Sequence, residues 1–221
     1  MLKVERFVNE LMSSNCYIVV DEASMHCICI DPASEKSLRE IEYFESNNLT
    51  LDYIILTHEH TDHTWGVNAL LQKYPKAKVV CSSLCRDALS KEAKAYFQFY
   101  YDDPTYSYNV ERVDYTTAEL DWQMEWSDHK IVFVPTPGHS PGSVCIVIDD
   151  IIFGGDTLMP FKPFIKKRNG GSMEQFQASV NKMVESYPAE TLVYPGHGEM
   201  FELDEYDLQK MLNAKSNANI I

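Results

Sequence analysis

The chain has 221 residues, 45% hydrophobic and 24% charged, with 33 acidic against 19 basic side chains and a formal net charge of −14. This is enough apolar material for one well-buried domain, 1–221, while no apolar run approaches the ~20 residues of a membrane helix. An acidic surface repels phosphate backbones, so neither nucleic acid nor membrane is an expected partner. The opening Met1-Leu2-Lys3-Val4-Glu5-Arg6-Phe7 interleaves charges and lacks a signal peptide's apolar core, so a cytoplasmic location is expected.

In chain order, residues 3–8, 15–20 and 26–30 read as strands of an antiparallel meander, and residues 34–47 as a helix with Leu38, Ile41 and Phe44 at helical spacing. Cys27 and Cys29 alternate on one face of the third strand. With Cys16, Cys81, Cys85 and Cys145 they fit reduced, buried, small-apolar roles better than disulfides or a structural zinc site. The run Leu51 to Leu56 reads as a short buried strand, followed by a polar burst, Thr57-His58-Glu59-His60-Thr61-Asp62-His63. A helix is expected from about His63 to Tyr74, a strand at 78–81 and a helix at 90–101. The aromatic stretch Ala95 to Tyr101, with Tyr106 beyond it, suits either a helix packed on the sheet or a lid that gives the site an apolar wall. Strands follow near 110–113, 123–126, 130–134, 143–148 and 151–154, then a helix from Ser172 to Tyr187. Ser172 is its N-cap and Gln175 stands three residues on. Met173, Phe176, Val180, Met183 and Val184 form its inner face, and a strand at 191–194 and a helix at 204–214 close the chain.

Chemistry concentrates at strand ends. In extended backbone His58 and His60 point the same way, and a turn into helix near Asp62 aims Asp62 and His63 at a second point nearby, which suggests two metals. Glu59, between two ligands, points away by alternation and reads as exposed or as a support behind the ligands, not as a ligand. Three more candidate ligands each follow a short apolar strand within a Gly/Pro turn: His139 in Pro137-Gly138-His139-Ser140-Pro141, Asp156 in Gly154-Gly155-Asp156-Thr157, and His197 in Pro195-Gly196-His197-Gly198. The one basic cluster, Lys162 with Lys166-Lys167-Arg168, is too small for a nucleic-acid track but suits an anionic substrate. Lys166 and Tyr194 are the candidate substrate contacts.

The set His58-x-His60-x-Asp62-His63, His139, Asp156 and His197 resembles the ligand signature of the metallo-β-lactamase superfamily, and its glyoxalase II-like hydrolases most of all. The resemblance runs from about Asp31 to His197 and implies a four-layer αβ/βα sandwich. It also implies that His58, His60 and His139 hold one divalent cation, that Asp62, His63 and His197 hold a second, and that Asp156 bridges them. Zinc is the first expectation, with iron or manganese as alternatives. Asp31 matches the family's first acidic motif, which supports the ligands from behind; on the residues alone it reads equally as the turn former of Asp31-Pro32. The implied reaction is hydrolysis of a small thioester, lactone or related ester by water activated between the cations, with Asp62 handling the proton.

The bridging aspartate and the missing signal peptide argue against a secreted antibiotic hydrolase. Two departures separate the chain from glyoxalase II itself. Only about two dozen residues follow His197, where that enzyme carries a helical domain for glutathione, and Phe164-Ile165 stands where Gly-Arg or Gly-Lys is common. The competing resemblance is to the persulfide dioxygenases of the same superfamily, which implies one iron on His58, His139 and Asp156.

Overall fold

The computed structural model describes residues 1–100, 102, 105–117, 121–165, 167, 170–207 and 210, with side chains left undescribed at 92–100 and 205. The chain divides into two compact units, Met1–Thr116 and Thr117–Ile221, each built on one six-stranded sheet.

In the first unit the sheet order is β1 (Leu2–Val8), β2 (Asn15–Asp21), β3 (His26–Ile30), β4 (Thr50–Ile55), β5 (Lys78–Ser82) and β6 (Tyr115–Thr117). The first three strands form the expected antiparallel meander, while β3, β4 and β5 run parallel and need helical crossovers between them. Helix α1 (Leu38–Ser46) supplies the first crossover, and α2 (Thr61–Thr64) with α3 (Val67–Lys73) the second; α4 (Ser83–Tyr100) follows β5. Phe44, Val67, Leu70, Leu71, Cys85 and Leu89 of these helices are buried against Cys16, Ile18, Val20, Cys27, Cys29, Leu51, Ile54 and Val79 of the sheet. Leu51 and Ile54 share that core although strict alternation would place them on opposite faces. The register explains this. Cys27 pairs with Leu51 but Ile28 with Tyr53, so Asp52 is an extra residue in a bulge that shifts the phase of β4. The Asp52 carboxylate then accepts from His26 Nδ1 at 2.7 Å.

One helix expected over 63–74 is two. The break lies at Trp65-Gly66, where a Cβ on Gly66 would stand 2.4 Å from Ser37 Oγ and 2.7 Å from the Ser34 carbonyl. Glycine lets this corner close onto the loop after β3, and its N–H donates to the Pro32 carbonyl at 2.9 Å. The strand expected at 110–113 stands instead at 115–117.

In the second unit the order is β7 (Trp122–Trp126), β8 (His129–Pro135), β9 (Val144–Ile148), β10 (Ile151–Gly155), β11 (Leu192–Pro195) and β12 (Phe201–Glu202). Two-residue turns join β7 to β8 and β9 to β10, with Ser127 and Asp149 in the left-handed region at φ 50° and 53°. Because β8 and β9, then β9 and β10, are antiparallel and β10 and β11 parallel, β8, β10 and β11 all point one way. Helix α5 (Met173–Ser186) makes the β10–β11 crossover. It starts on the expected N-cap, Ser172, whose hydroxyl accepts from the Gln175 N–H at 3.3 Å. Phe176, Val180 and Met183 are buried against Val134, Cys145, Val147, Ile152 and Val193, whereas Met173 and Val184, expected on the same face, are exposed. The helix expected at 204–214 falls mostly outside the described residues, which show a 3-10 turn at Leu203–Glu205. Among the described residues no helix is long and apolar enough to cross a membrane.

All six cysteines are free and buried. Cys16 and Cys29 come within 3.5 Å at sulfur, and burial pushes the thiols of Cys16, Cys27, Cys29, Cys85 and Cys145 up. A buried carboxyl is rarer. Glu40 of α1 is inaccessible to solvent, neither carboxyl oxygen has a hydrogen-bond partner among the described residues, and burial raises its affinity for a proton. The unfolded chain releases that proton near pH ~4.5 while the fold retains it to higher pH, so Glu40 costs stability as pH rises above the unfolded value. Glu40→Met should therefore raise the urea midpoint at about pH 8 and show a shrinking advantage toward about pH 4.5. A pH-independent difference between the two proteins would contradict this account.

Candidate metal centre

In the first unit the polar burst after β4 is fixed from behind by one carboxylate. Asp31 follows β3 directly and holds left-handed backbone at φ 54°, a conformation Asp tolerates better than most residues. Its Oδ1 accepts from the Thr57 N–H at 2.8 Å, and its Oδ2 accepts from the Thr57 hydroxyl at 2.6 Å and from His63 Nδ1 at 2.9 Å. This assigns protons. The single Thr57 hydroxyl proton is spent on Asp31, so at 3.0 Å Thr57 Oγ1 accepts from His58 Nδ1–H. His58 Nε2 and His63 Nε2 are then both lone-pair nitrogens. The first faces His60 Nδ1 at 3.0 Å; the second faces Asp62 Oδ2 at 3.6 Å. Asp31, His58 and His63 bring one ligand atom each to within 4.8 Å of one another. The His58 ring lies 4.6 Å from that of His60 and 4.3 Å from that of His63, centroid to centroid. His58, Asp62 and His63 are buried, and His60 partly so.

In the second unit the three ligand turns leave the sheet at one edge, because β8, β10 and β11 share a direction. Thr157 Oγ1 lies 3.1 Å from Thr136 Oγ1 and stitches the first turn to the second. Ser179 Oγ donates to the Pro137 carbonyl at 2.7 Å, tying the first turn to α5. His139 Nδ1–H donates to the Phe164 carbonyl at 2.8 Å, which leaves Nε2 as the lone pair, 3.4 Å from Asp156 Oδ2. His197 Nε2 stands 3.6 Å from the other oxygen, Oδ1. Asp156 thus presents one imidazole at each oxygen. Gly196 makes room for it: a Cβ there would stand 2.2 Å from Asp156 Oδ1.

A lone-pair nitrogen aimed at a carboxylate oxygen is repulsive unless a positive centre lies between them. Two ligands bound about 2.0–2.2 Å from one tetrahedral ion stand roughly 3.3–3.6 Å apart, the range of these pairs. The donor chemistry in each unit fits a divalent cation of the zinc, iron or manganese type. Histidine metal ligands are commonly oriented through the ring nitrogen that does not bind metal. Asp31, Thr57 and the Phe164 carbonyl occupy those positions for His63, His58 and His139.

The family model described as the metallo-beta-lactamase superfamily matches residues 10–197. The chain belongs to the metallo-β-lactamase superfamily. A hydroxyacylglutathione hydrolase of Vibrio cholerae is 28% identical over 179 residues, which are 81% of this chain and 60% of the relative. The chain therefore spans about three-fifths of that relative's length. Among solved structures, the BLEG-1 B3 metallo-beta-lactamase superposes with a TM-score of 0.82 at 22% identity, over 92% of this chain and 95% of its own. ETHE1 from Myxococcus xanthus superposes with a TM-score of 0.74 at 22% identity, over 96% and 83%. These likenesses establish the α/β fold of the superfamily.

Other sequence expectations fare unevenly. Glu59, expected either exposed or behind the ligands, is buried, and among the described residues it belongs to none of the groups able to hold a metal. Tyr194 is half-buried and stacks on Phe153 at 5.3 Å. Lys166 lies outside the described residues, as do the side chains of Ala95 to Tyr100. Thr57 orients His58, and the signal for that role in the sequence is a hydroxyl directly before the histidine.

Two substitutions test the supports rather than the ligands. Asp31→Ala should weaken metal binding about 10–100-fold, read by competition with a chromogenic chelator, because it frees two imidazoles at once. Gly196→Ala should do the same by displacing the Asp156 carboxylate. Unchanged affinity in either protein would show that the support is dispensable.

Proposed function

We propose that the two units act together as one catalytic domain, 1–221, a dinuclear metal-dependent hydrolase of a small thioester, lactone or related ester. In this reading His58, His60 and His139 hold one divalent cation, Asp62, His63 and His197 the other, and Asp156 both. The observation that carries it is the pair His63 and Asp62. A fully buried imidazole, its tautomer set by Asp31, aims a lone pair at a carboxylate oxygen, and a one-metal centre built on His58, His139 and Asp156 gives that arrangement no task. The superfamily match and the name of the Vibrio relative support hydrolysis.

When bound, the cations supply Lewis acidity that lowers the pKa of water toward ~7 and polarises the scissile carbonyl. The chain's own groups do the rest. Asp62, beside His63 and almost wholly shielded from solvent, receives and returns the proton at its carboxylate. His58, His63 and His139, each held through its far nitrogen, keep the donor set rigid through the reaction. Phe164-Ile165, where Gly-Arg or Gly-Lys is common in glyoxalase II, favours an acyl or leaving group other than glutathione. Lys166 and Tyr194 remain the proposed substrate contacts, zinc is the preferred metal and the cytoplasm the proposed setting.

Protein purified without added metal should hold about two divalent ions per chain. It should turn over members of a thioester and lactone panel, and lose that activity reversibly to chelation. Asp62→Ala should abolish turnover while the far-UV circular dichroism stays that of the parent. One iron per chain, with O₂ uptake on glutathione persulfide, would replace this proposal with the dioxygenase.

A further inference from the structure

Helix α2 is a single turn, too short to persist on its own propensity, yet it carries Asp62 and His63. Across its ends the His63 N–H donates to the His60 carbonyl at 3.0 Å and the Trp65 N–H to the Thr61 carbonyl at 3.1 Å. Two hydroxyls outside the ligand set add to the hold of Asp31 on His63. Ser14, in the turn between β1 and β2, donates to the Asp62 carbonyl. On another element, Tyr108 Oη lies 2.5 Å from Thr64 Oγ1. Thr64 has one hydroxyl proton and donates it to the His60 carbonyl at 3.2 Å, so Tyr108 is the donor to Thr64. Burial pushes the Tyr108 phenol up, keeping it protonated at ordinary pH. The relay Tyr108 to Thr64 to the His60 carbonyl therefore ends on the backbone between one ligand pair, His58 and His60, and the other, Asp62 and His63.

The segment carrying Tyr108 is fastened along α2 and α3 by side chains. Trp65 Nε1 donates to Tyr106 Oη at 2.8 Å, and Tyr106 Oη to Glu35 Oε1 at 3.2 Å. Asn68 donates from Nδ2 to the Asn109 carbonyl at 2.7 Å and accepts at Oδ1 from the Glu111 N–H at 2.9 Å. Leu11, Met12, Trp65, Tyr106 and Tyr108 pack together beneath it. Residues 105–111 thus form a strap whose fastenings differ from the backbone ladder of a sheet.

We propose that Tyr108, with Ser14, is a positioning residue that sets the affinity of the Asp62–His63 cation, making the strap the element that decides between a one-metal and a two-metal centre. The inference rests on the two-cation reading above. Tyr108 acts through the Thr64 hydroxyl and the turn.

The test is Tyr108→Phe, which removes one oxygen and keeps the ring packed, with Ser14→Ala and Thr64→Val beside it. Cobalt(II) titration followed by visible spectroscopy should show Tyr108→Phe losing about tenfold in affinity for the ion whose binding Asp62→Ala abolishes, the loss of one part-buried hydrogen bond, with the other ion unchanged. The Tyr108→Phe/Thr64→Val double variant should lose no more than Thr64→Val alone, because without the Thr64 hydroxyl the Tyr108 hydroxyl has no relay to act through. In the metal-free protein, hydrogen exchange at the His63 and Trp65 amides should quicken about tenfold in Tyr108→Phe by the same measure. Wild-type affinity and exchange in Tyr108→Phe would overturn the clamp, as would additive losses in the double variant. A wild-type protein that binds a single ion indifferent to Asp62→Ala would overturn the two-cation reading and with it the metal-setting role; the exchange result would still report separately whether Tyr108 holds the turn.

Discussion

One carboxylate carries more of this design than any ligand does. Asp31 takes three donors, two from Thr57 and one from His63, while its own backbone sits in the left-handed region. That conformation costs about 1–2 kcal/mol, against hydrogen bonds to an ionised acceptor worth about 1.5–3 kcal/mol each, so the turn is retained at a net gain. What the gain secures is proton placement. Through the Thr57 hydroxyl the same anion dictates which nitrogen of His58 carries hydrogen, and it dictates the same for His63 directly. Buried imidazoles without such a partner would exchange tautomers, and a ligand set would lose its lone pairs part of the time.

The second unit reaches a similar result by other means. Its carboxylate, Asp156, belongs to the ligand set itself, and a backbone carbonyl, that of Phe164, does for His139 what Asp31 does for His63. Strand direction does the gathering. Three strands pointing one way deliver their following turns to one sheet edge, so residues 139, 156 and 197, far apart in sequence, need no long-range search beyond correct strand pairing. This is also why each ligand sits just past a short apolar run.

The parts legible in the sequence are those governed by local rules. Two-residue alternation put His58 and His60 together, the start of helix at Thr61 turned Asp62 and His63 away from them, and hydroxyl capping located the start of α5 at Ser172. What escaped depends on neighbours distant in the chain. The bulge at Asp52 exists because β3 and β4 pair out of phase, and nothing in Leu51 to Leu56 announces it. Gly66 breaks a periodic helical pattern because Ser34 and Ser37 approach it from another loop. For Glu59 alternation leaves an exposed and a buried position both open, because it says where a side chain points but not whether the space it points into is covered; the fold covers it. Tyr106 belongs to a stretch that suits a lid or a packed helix, and nothing local marks Tyr108; their hydroxyls acquire a task only once Trp65 and Thr64 are brought opposite.

The six thiols have a practical meaning for whoever handles this protein. All are buried, and burial holds those of Cys16, Cys27, Cys29, Cys85 and Cys145 in the neutral form that electrophiles attack slowly. The folded molecule is accordingly a blank background for maleimide chemistry. A single cysteine introduced on its surface, at exposed Leu84 for instance, offers a lone address for a fluorophore or spin label without first stripping the native sulfurs from the core.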